Sequence, residues 1–312
     1  MTEVNAAGSR SQASVPLARI CGHLLRRSHQ VHNAIWLEKF GNELTSPQYG
    51  VLAVLAVWPR IDQRQFGELA SLDKSSTADV IRRLVTKQWI TRERDTVDGR
   101  RNILDLTPAA TIAFDHLTPI AKQVQEQLLE PLPEADHHRF LRALHAISRL
   151  DDAVVETSVM QSRDVLHLGA PGHLIRCAQQ VHTSMFADEF DRELTGPQYA
   201  VLHVLAQWPG INQQTLGERA ALDKSTVADL VARLVGKGWV VRQRDPADGR
   251  GRILQLSADA GSAVGHLAPR VAAVQDRLLA PLRAPEREAF LHQLAQVAFV
   301  GNVPESALTA GD

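Results

Sequence analysis

The 312-residue chain is one unit written twice at an interval of 150. ELTSPQYGVLAVLAVWPRI, which starts at Glu43, returns as ELTGPQYAVLHVLAQWPGI at Glu193. LDKSSTADVIRRLVTKQWITRERDTVDGRRNIL returns as LDKSTVADLVARLVGKGWVVRQRDPADGRGRIL. Between residues 41–110 and 191–260, 39 of 70 positions are identical without a gap, so these are two copies of one domain. The register persists outside that block, at His23 and His173, Val31 and Val181, Phe40 and Phe190, and Pro131 and Pro281. A unit of about 140 residues present twice excludes a solenoid, whose repeats run to about 20–50 residues. What remains is a fused dimer or a pair of beads. The seam, VETSVMQSRDVLHLGA, is neither long nor rich in Pro, Gly and Ser, which favours a compact pseudodimer. The expected organisation is a disordered tail over 1–16, repeat 1 over 17–157, a linker over 158–166 and repeat 2 over 167–303.

Within each unit the apolar spacing changes in a defined order. Leu17, Ile20, Leu24, Val31 and Ile35 fall at helical intervals and predict a helix over 17–40. Thr45-Ser46-Pro47 opens a second, buried helix that ends at Pro59. QFGELASL forms a short third, and Asp73 caps a fourth, KSSTADVIRRLVTKQ, with Val80, Ile81, Leu84 and Val85 on its apolar face. Residues 89–94 and 102–106 read as strands around an Asp-Gly turn, a hairpin. A long helix from Thr107 to about Glu130 and a last one to about Val155 complete the unit. Two helices joined by a tight turn and followed by a two-stranded hairpin make a winged helix-turn-helix, whose second helix enters the major groove of DNA. The fold class expected is mainly α with small β-wings: two winged helix-turn-helix units, a helical dimerisation domain and an internal pseudo-two-fold.

The motifs LTSPQYGVL and LTGPQYAVL, LDKSSTADVIRRL and LDKSTVADLVARL, and RERDTVDGRRNILDLT and RQRDPADGRGRILQLS resemble the multiple-antibiotic-resistance regulator (MarR) family of bacterial transcription factors. The resemblance covers nearly all of both copies and is strong at the wing, where Asp98 to Arg100 and Asp248 to Arg250 stand as the family's Asp-x-Arg. It departs after the wing, where Ala110 and Ala260 occupy a position at which the family usually has Gly. The resemblance implies a DNA-binding regulator, and it implies minor-groove contact by Arg100 and Arg250.

The formal net charge of -1 hides a separation of charge. From Lys74 to Asn102 eight basic residues face four acidic ones, and from Lys224 to Arg252 seven face three, so each wing-helix unit carries +4. That is the footprint of a DNA-binding face on an acidic body. The candidate DNA contacts in repeat 1 are Lys74, Ser75, Ser76 and Thr77 at the start of the recognition helix, Arg82 and Arg83 on it, and Arg94, Arg100 and Arg101 on the wing. In repeat 2 they are Lys224, Ser225, Thr226, Arg233, Arg244, Arg250 and Arg252. Arg83 and Arg233 follow Asp79 and Asp229 by four residues, so a helical ion pair is as good a reading for them as a DNA contact. The copies differ where Arg82 meets Ala232, Thr77 meets Val227, Gln88 meets Gly238 and Arg101 meets Gly251, and unlike half-sites are expected from this. The repeated Trp58, Trp89, Trp208 and Trp239 read as core packing.

On the first helix His23, Arg26, Gln30 and His32 recur as His173, Arg176, Gln180 and His182. Family members often bind aromatic or anionic small molecules beside this helix, and with Tyr49 and Tyr199 these residues form a candidate effector site. A polar stripe at the pseudodimer interface is the plainer reading.

No GxSxG, P-loop, HExxH or paired-Cys motif occurs, so an enzyme is not expected, nor is a cofactor or metal. Cys21 and Cys177 cannot form a disulfide framework and occupy inequivalent positions in the two copies. With no apolar run of membrane length and no signal-peptide pattern, the expected setting is a cytoplasmic monomer with double-stranded DNA as its partner. The competing reading is a winged-helix protein-interaction module that does not read DNA.

Overall fold

The computed structural model describes residues 15–69, 74–150, 169–246, 249 and 251–299, with the backbone alone at 68, 69, 74 and 75. Residues 1–14 of the tail expected over 1–16, the cap at Asp73, the linker and the wing-tip Arg250 lie outside the described residues.

Repeat 1 runs through α1 (Cys21–Phe40), α2 (Ser46–Val57), β1 (Ile61–Asp62), α3 (Gln63–Leu69), α4 (Lys74–Thr86), β2 (Ile90–Arg94), β3 (Asn102–Leu106), α5 (Pro108–Leu129) and α6 (Glu134–Ser148). Repeat 2 follows the same order through α7 (Pro171–Glu189), α8 (Gly196–Gln207), β4 (Ile211–Asn212), α9 (Gln213–Ala220), α10 (Lys224–Gly236), β5 (Val240–Arg244), β6 (Arg252–Leu256), α11 (Ala258–Leu279) and α12 (Ala284–Phe299). The mainly helical fold with small antiparallel sheets is the one the sequence predicts.

Local chemistry accounts for the boundaries. Thr45 accepts the Gln48 N–H at 3.3 Å while the Gln48 side chain accepts the Thr45 N–H at 3.1 Å, a reciprocal cap that Thr195 and Gln198 reproduce. Val51, Leu52, Val54 and Leu55 leave α2 almost no exposed surface, making it the central helix of the unit. Thr107 and Ser257 cap α5 and α11 through the N–H groups of Ala110 and Ala260, which are buried. The position where the family usually has Gly therefore starts a well-formed helix here.

Each sheet has three strands, in the order β1-β3-β2 and β4-β6-β5. The extra strand, Ile61–Asp62 pairing with Leu104 and Ile103, is too short to leave an alternation in the sequence. The first helix begins later than predicted. Leu17–Arg19 form a 3-10 turn, and Ile20 is extended before α1 starts at Cys21. The last helix of repeat 1 stops at Ser148, because Arg149 takes a left-handed conformation with φ of 55°. Val85 and Val235 are 38% and 36% exposed, so the inner face of the recognition helix is narrower than the apolar spacing suggests.

Gln88 and Gly238 are left-handed in both copies, with φ of 58° and 72°. The difference at that position falls on a helix-ending conformation that favours glycine.

Among the described residues the backbone divides into two compact units that do not follow the repeats. One joins the described residues between 25 and 182 with those between 279 and 299, so it holds the body of repeat 1, the start of repeat 2 and the last helix of repeat 2. In it α12 packs on α6, with the buried rings of Phe140 and Phe290 stacked at 5.7 Å. Arg27 donates to the Ala298 carbonyl at 3.3 Å and lies over the Phe299 ring, and Ser28 donates to the Leu294 carbonyl at 3.5 Å. The other unit joins residues 15–24 with the described residues between 183 and 278. There the Cys21 N–H donates to the Gln275 side chain of repeat 2 at 2.8 Å.

Candidate nucleic-acid interface

The outer surface of the recognition helix α4 shows Ala78, Arg82, Arg83, Val85 and Thr86 to solvent. Asp79 binds both arginines, Arg82 through a short hydrogen bond and Arg83 with Nε at 2.8 Å. Led by the hydrogen bond from Arg82, these contacts hold the Asp79 carboxyl below its usual range. Exposed helical ion pairs of this kind contribute little, so either guanidinium can exchange its carboxylate for a phosphate. Thr77, expected at the exposed start of the recognition helix, turns inward instead. It is 3% exposed and its counterpart Val227 is 1% exposed, because this position turns into the core of the helical pair. In repeat 2 the cap is visible: the Thr226 N–H donates to Asp223 at 2.9 Å, and the Ser225 and Thr226 hydroxyls donate to the same carboxylate. Those hydroxyl protons belong to the cap, which holds the Asp223 carboxyl well below its usual range. Of Lys74 and Ser75 only the backbone is described, in the first turn of α4; Ser76 is half-buried, and Lys224 and Arg233 are exposed.

The wing turn of repeat 1 is held by its own carboxylates. Asp95 accepts the Val97 N–H at 2.8 Å, and Asp98 accepts the backbone N–H of Arg100 at 3.0 Å. The Arg100 side chain is exposed at the tip, as are Arg94, Arg244 and Arg252 on the strands. Arg101 differs from them. Its guanidinium pairs with Asp62 at 2.7 Å and lies 3.8 Å from Asp95, so it ties the wing to the start of α3. Burial pushes the Asp62 carboxyl up, but the N–H groups of Gln65 and Arg64 and the Arg101 guanidinium outweigh that and leave it below its usual range.

Between the wing and the helical pair an open cleft of about 850 Å³ is lined by Arg64, Arg92, Arg100, Arg101 and Asn102, among others. A second hollow of about 420 Å³ brings Arg92 to Arg82 and Val85 on the recognition helix. Arg92, which lines both hollows, thus joins the candidate interface, although charge counting alone did not single it out. Its signal was its recurrence as Arg242, two residues before Arg94 and Arg244 on the same strand face.

Some of the counted charge is structural. Lys87 and Lys237 reach back to the carbonyls of Glu43 and Glu193, the latter at 2.7 Å, and lie over the rings of Trp89 and Trp239. Trp58, Trp89 and Trp239 are half-buried and Trp208 is 38% exposed beneath Arg219, so Trp89, Trp208 and Trp239 are surface platforms for cations and not fully buried core. The buried indole is Trp36, at 4%.

The candidate effector residues separate by burial. His23, His32, Tyr49, His173, His182 and Tyr199 are buried, Arg26 and Arg176 are half-buried, and Gln30 and Gln180 are exposed and cannot line a closed site. Burial, with Arg27 adjacent, lowers the Arg26 pKa to about 10. In the first compact unit His32 packs between His29 and Trp36, its Nε2 lies 3.4 Å from the Gln125 amide, and its Nδ1 has no partner. Gln125 also accepts the Gly172 N–H of repeat 2 at 2.9 Å. Burial lowers the His32 pKa to about 3, and the charges of His29 and Arg176 add to it. Trp36, Phe40, Tyr49 and Phe114 continue the aromatic wall, and the Tyr49 hydroxyl donates to Thr118 at 3.3 Å. His29, Gln125 and Thr118 were not selected from the sequence, since single polar residues on long helices carry no distinguishing pattern. In repeat 2, Arg176 bridges His173 at 3.2 Å and Gln180 at 3.1 Å, and Tyr199 meets His203 at 3.5 Å.

A Cβ at Gly172 would stand 2.3 Å from His32 Nε2. Gly172→Ala is therefore expected to destabilise the protein by about 1–3 kcal/mol, because the buried ring cannot retreat. Urea unfolding at neutral pH measures this, and an unchanged midpoint would contradict the packing.

Recognition helix, basic wing and paired long helices together define a winged helix-turn-helix regulator. The MarR family signature matches residues 44–101 and again 194–251. The transcriptional regulator HosA of Escherichia coli O111:H- is 37% identical over 119 residues, covering 38% of this chain and 87% of HosA. The HTH-type transcriptional repressor NicR of Pseudomonas putida is 26% identical over 132 residues, covering 42% of this chain and 84% of NicR. The solved PcaV regulator of Streptomyces coelicolor, in complex with its natural ligand, is 44% identical with a TM-score of 0.37, covering 38% of this chain and 85% of PcaV. The chain belongs to the MarR family, in tandem form, and is a DNA-binding transcription regulator. Among the described residues no helix is long and apolar enough to cross a membrane.

Proposed function

We propose that one chain, a monomer, occupies a pseudopalindromic operator as a built-in dimer, represses transcription in the cytoplasm, and is released by a small aromatic or anionic compound. The observation that carries this reading is the pairing of α6 with α12 through Phe140 and Phe290, which joins the terminal helices of the two repeats inside one compact unit. A chain that already contains this helix pair has two recognition helices, each with a +4 surface, available to two half-sites. For the effector, the surroundings of His32 combine an aromatic wall, a buried imidazole nitrogen without a partner, and the Arg176 guanidinium of the other repeat nearby. That set suits an aromatic carboxylate or phenolate. Relatives described as a transcriptional regulator and a transcriptional repressor support the regulatory reading.

The test combines selection of bound genomic fragments with a thermal-shift screen of aromatic carboxylates. Enrichment of a defined duplex, and its release by a compound that stabilises wild type but not His32→Ala, is the expected result. Release that is indifferent to His32→Ala would move the effector elsewhere.

A further inference from the structure

The wing turn reads Asp98-Gly99-Arg100-Arg101-Asn102 in repeat 1 and Asp248-Gly249-Arg250-Gly251-Arg252 in repeat 2. One arginine has shifted by a single position, and along a strand such a shift moves a side chain to the opposite face of the sheet.

In repeat 1, Asp62 of β1 stands opposite Ile103, so Arg101, two residues before Ile103, is its diagonal neighbour. A long side chain spans that diagonal, and the 2.7 Å ion pair with Asp62 results, with Asp95 at the other end of the turn 3.8 Å away. In repeat 2 both partners are replaced together: Asn212 stands opposite Ile253, and Gly251 occupies the diagonal. Asn212 keeps the other duty of its position, since it caps α9 by accepting the Thr215 N–H at 2.9 Å, as Asp62 accepts the Gln65 N–H at 2.9 Å. What repeat 2 has given up is the tie to the wing alone. Its arginine at 252 instead stands opposite Arg244 in the β5–β6 ladder, where repeat 1 sets Arg94 opposite Asn102. Arg244 and Arg252 are both exposed. Like charges on facing positions repel, and an anion seated between two guanidinium groups turns that repulsion into attraction.

We propose that the two wings hold DNA by different means: Asp62 and Arg101 set the first wing in place, Arg101 acting as a positioning residue, while Arg244 and Arg252 of the second wing grip a backbone phosphate. The proposal rests on the DNA-binding reading above. It divides residues that sequence alone groups together, because Arg101 and Arg252 both look like wing arginines.

The experiment measures binding of the full chain to a duplex enriched from genomic fragments, across a range of salt concentrations, for wild type, Asp62→Asn, Arg101→Gly, the double variant and Arg252→Asn. Asp62→Asn keeps the helix cap and removes the ion pair, so it should weaken binding about five- to tenfold through lost preorganisation. Arg101→Gly should do the same, the double variant should be no weaker than either single one, and the salt slope should hold in all three. Arg252→Asn should weaken binding and lower the slope by about one unit, as the loss of one phosphate contact does. Thermal melting of each variant separates a folding defect from a binding one. Tighter binding by Asp62→Asn would overturn the proposal, since a freed Arg101 would then be reaching phosphate itself, and so would an unchanged slope for Arg252→Asn. If wild type enriches no duplex at all, the DNA-binding reading fails before the wings are compared.

Discussion

Between pH 7 and pH 5 the protein is expected to lose about 6 kcal/mol of stability, enough to unfold a domain of ordinary stability. Burial lowers the pKa of His32 to about 3 and those of His182 and His203 to about 4, each from 6.5. Above pH 6.5 these imidazoles are neutral whether the chain is folded or not, and they draw nothing from stability. Below it the unfolded chain takes up protons that the folded chain refuses, so stability falls with pH by about 1.4 kcal/mol per unit for each histidine. The loss continues until the folded-state values near 3 and 4 are reached. His29, also lowered by burial and by Arg176, acts in the same direction. The carboxylates held below their usual range, Asp62, Asp79, Asp95, Asp223 and Glu286, begin to withdraw their support only at lower pH. Urea titrations at pH 7, 6 and 5 measure the slope, and His32→Gln should remove roughly a third of it. A flat profile would show that these histidines are hydrated in solution.

Affinity for DNA is expected to fall by about three to five orders of magnitude between 50 and 200 mM salt, the range for proteins that make about six to ten phosphate contacts. Arg82, Arg83, Arg92, Arg94 and Arg100 on repeat 1, with Lys224, Arg233, Arg242, Arg244 and Arg252 on repeat 2, are exposed and supply that number of cations. Lys87 and Lys237 are excluded from it, being held by backbone carbonyls and tryptophan rings. Fluorescence anisotropy of a labelled duplex reads the slope directly. Equal affinity at both salt concentrations would contradict the electrostatic account.

The fold was legible because it rests on local signals: capping Thr45 and Thr195, helical spacing, and an Asp-Gly turn between two apolar runs. The site was legible only as composition. Charge counting finds the +4 surfaces, but it cannot tell Arg100, exposed at the tip, from Arg101, which the register of β1 against β3 brings to Asp62. Thr77 looked like a polar residue at a helix start, and its inward turn follows from where the third and fourth helices meet. The tryptophans misled for a related reason. A large ring beside Pro or apolar neighbours suggests core, whereas the lysines above Trp89 and Trp239 come from outside those strands. The surroundings of His32 were half legible, because the stripe on the first helix repeats, while the Gln125, Gly172 and Arg176 that surround it come from distant segments.

The proposed function requires one chain to do the work of two. Native mass spectrometry of the complex with an enriched duplex tests it most directly: one chain per duplex with both half-sites protected is the result the account predicts, and two chains per duplex, one for each half-site, would contradict it.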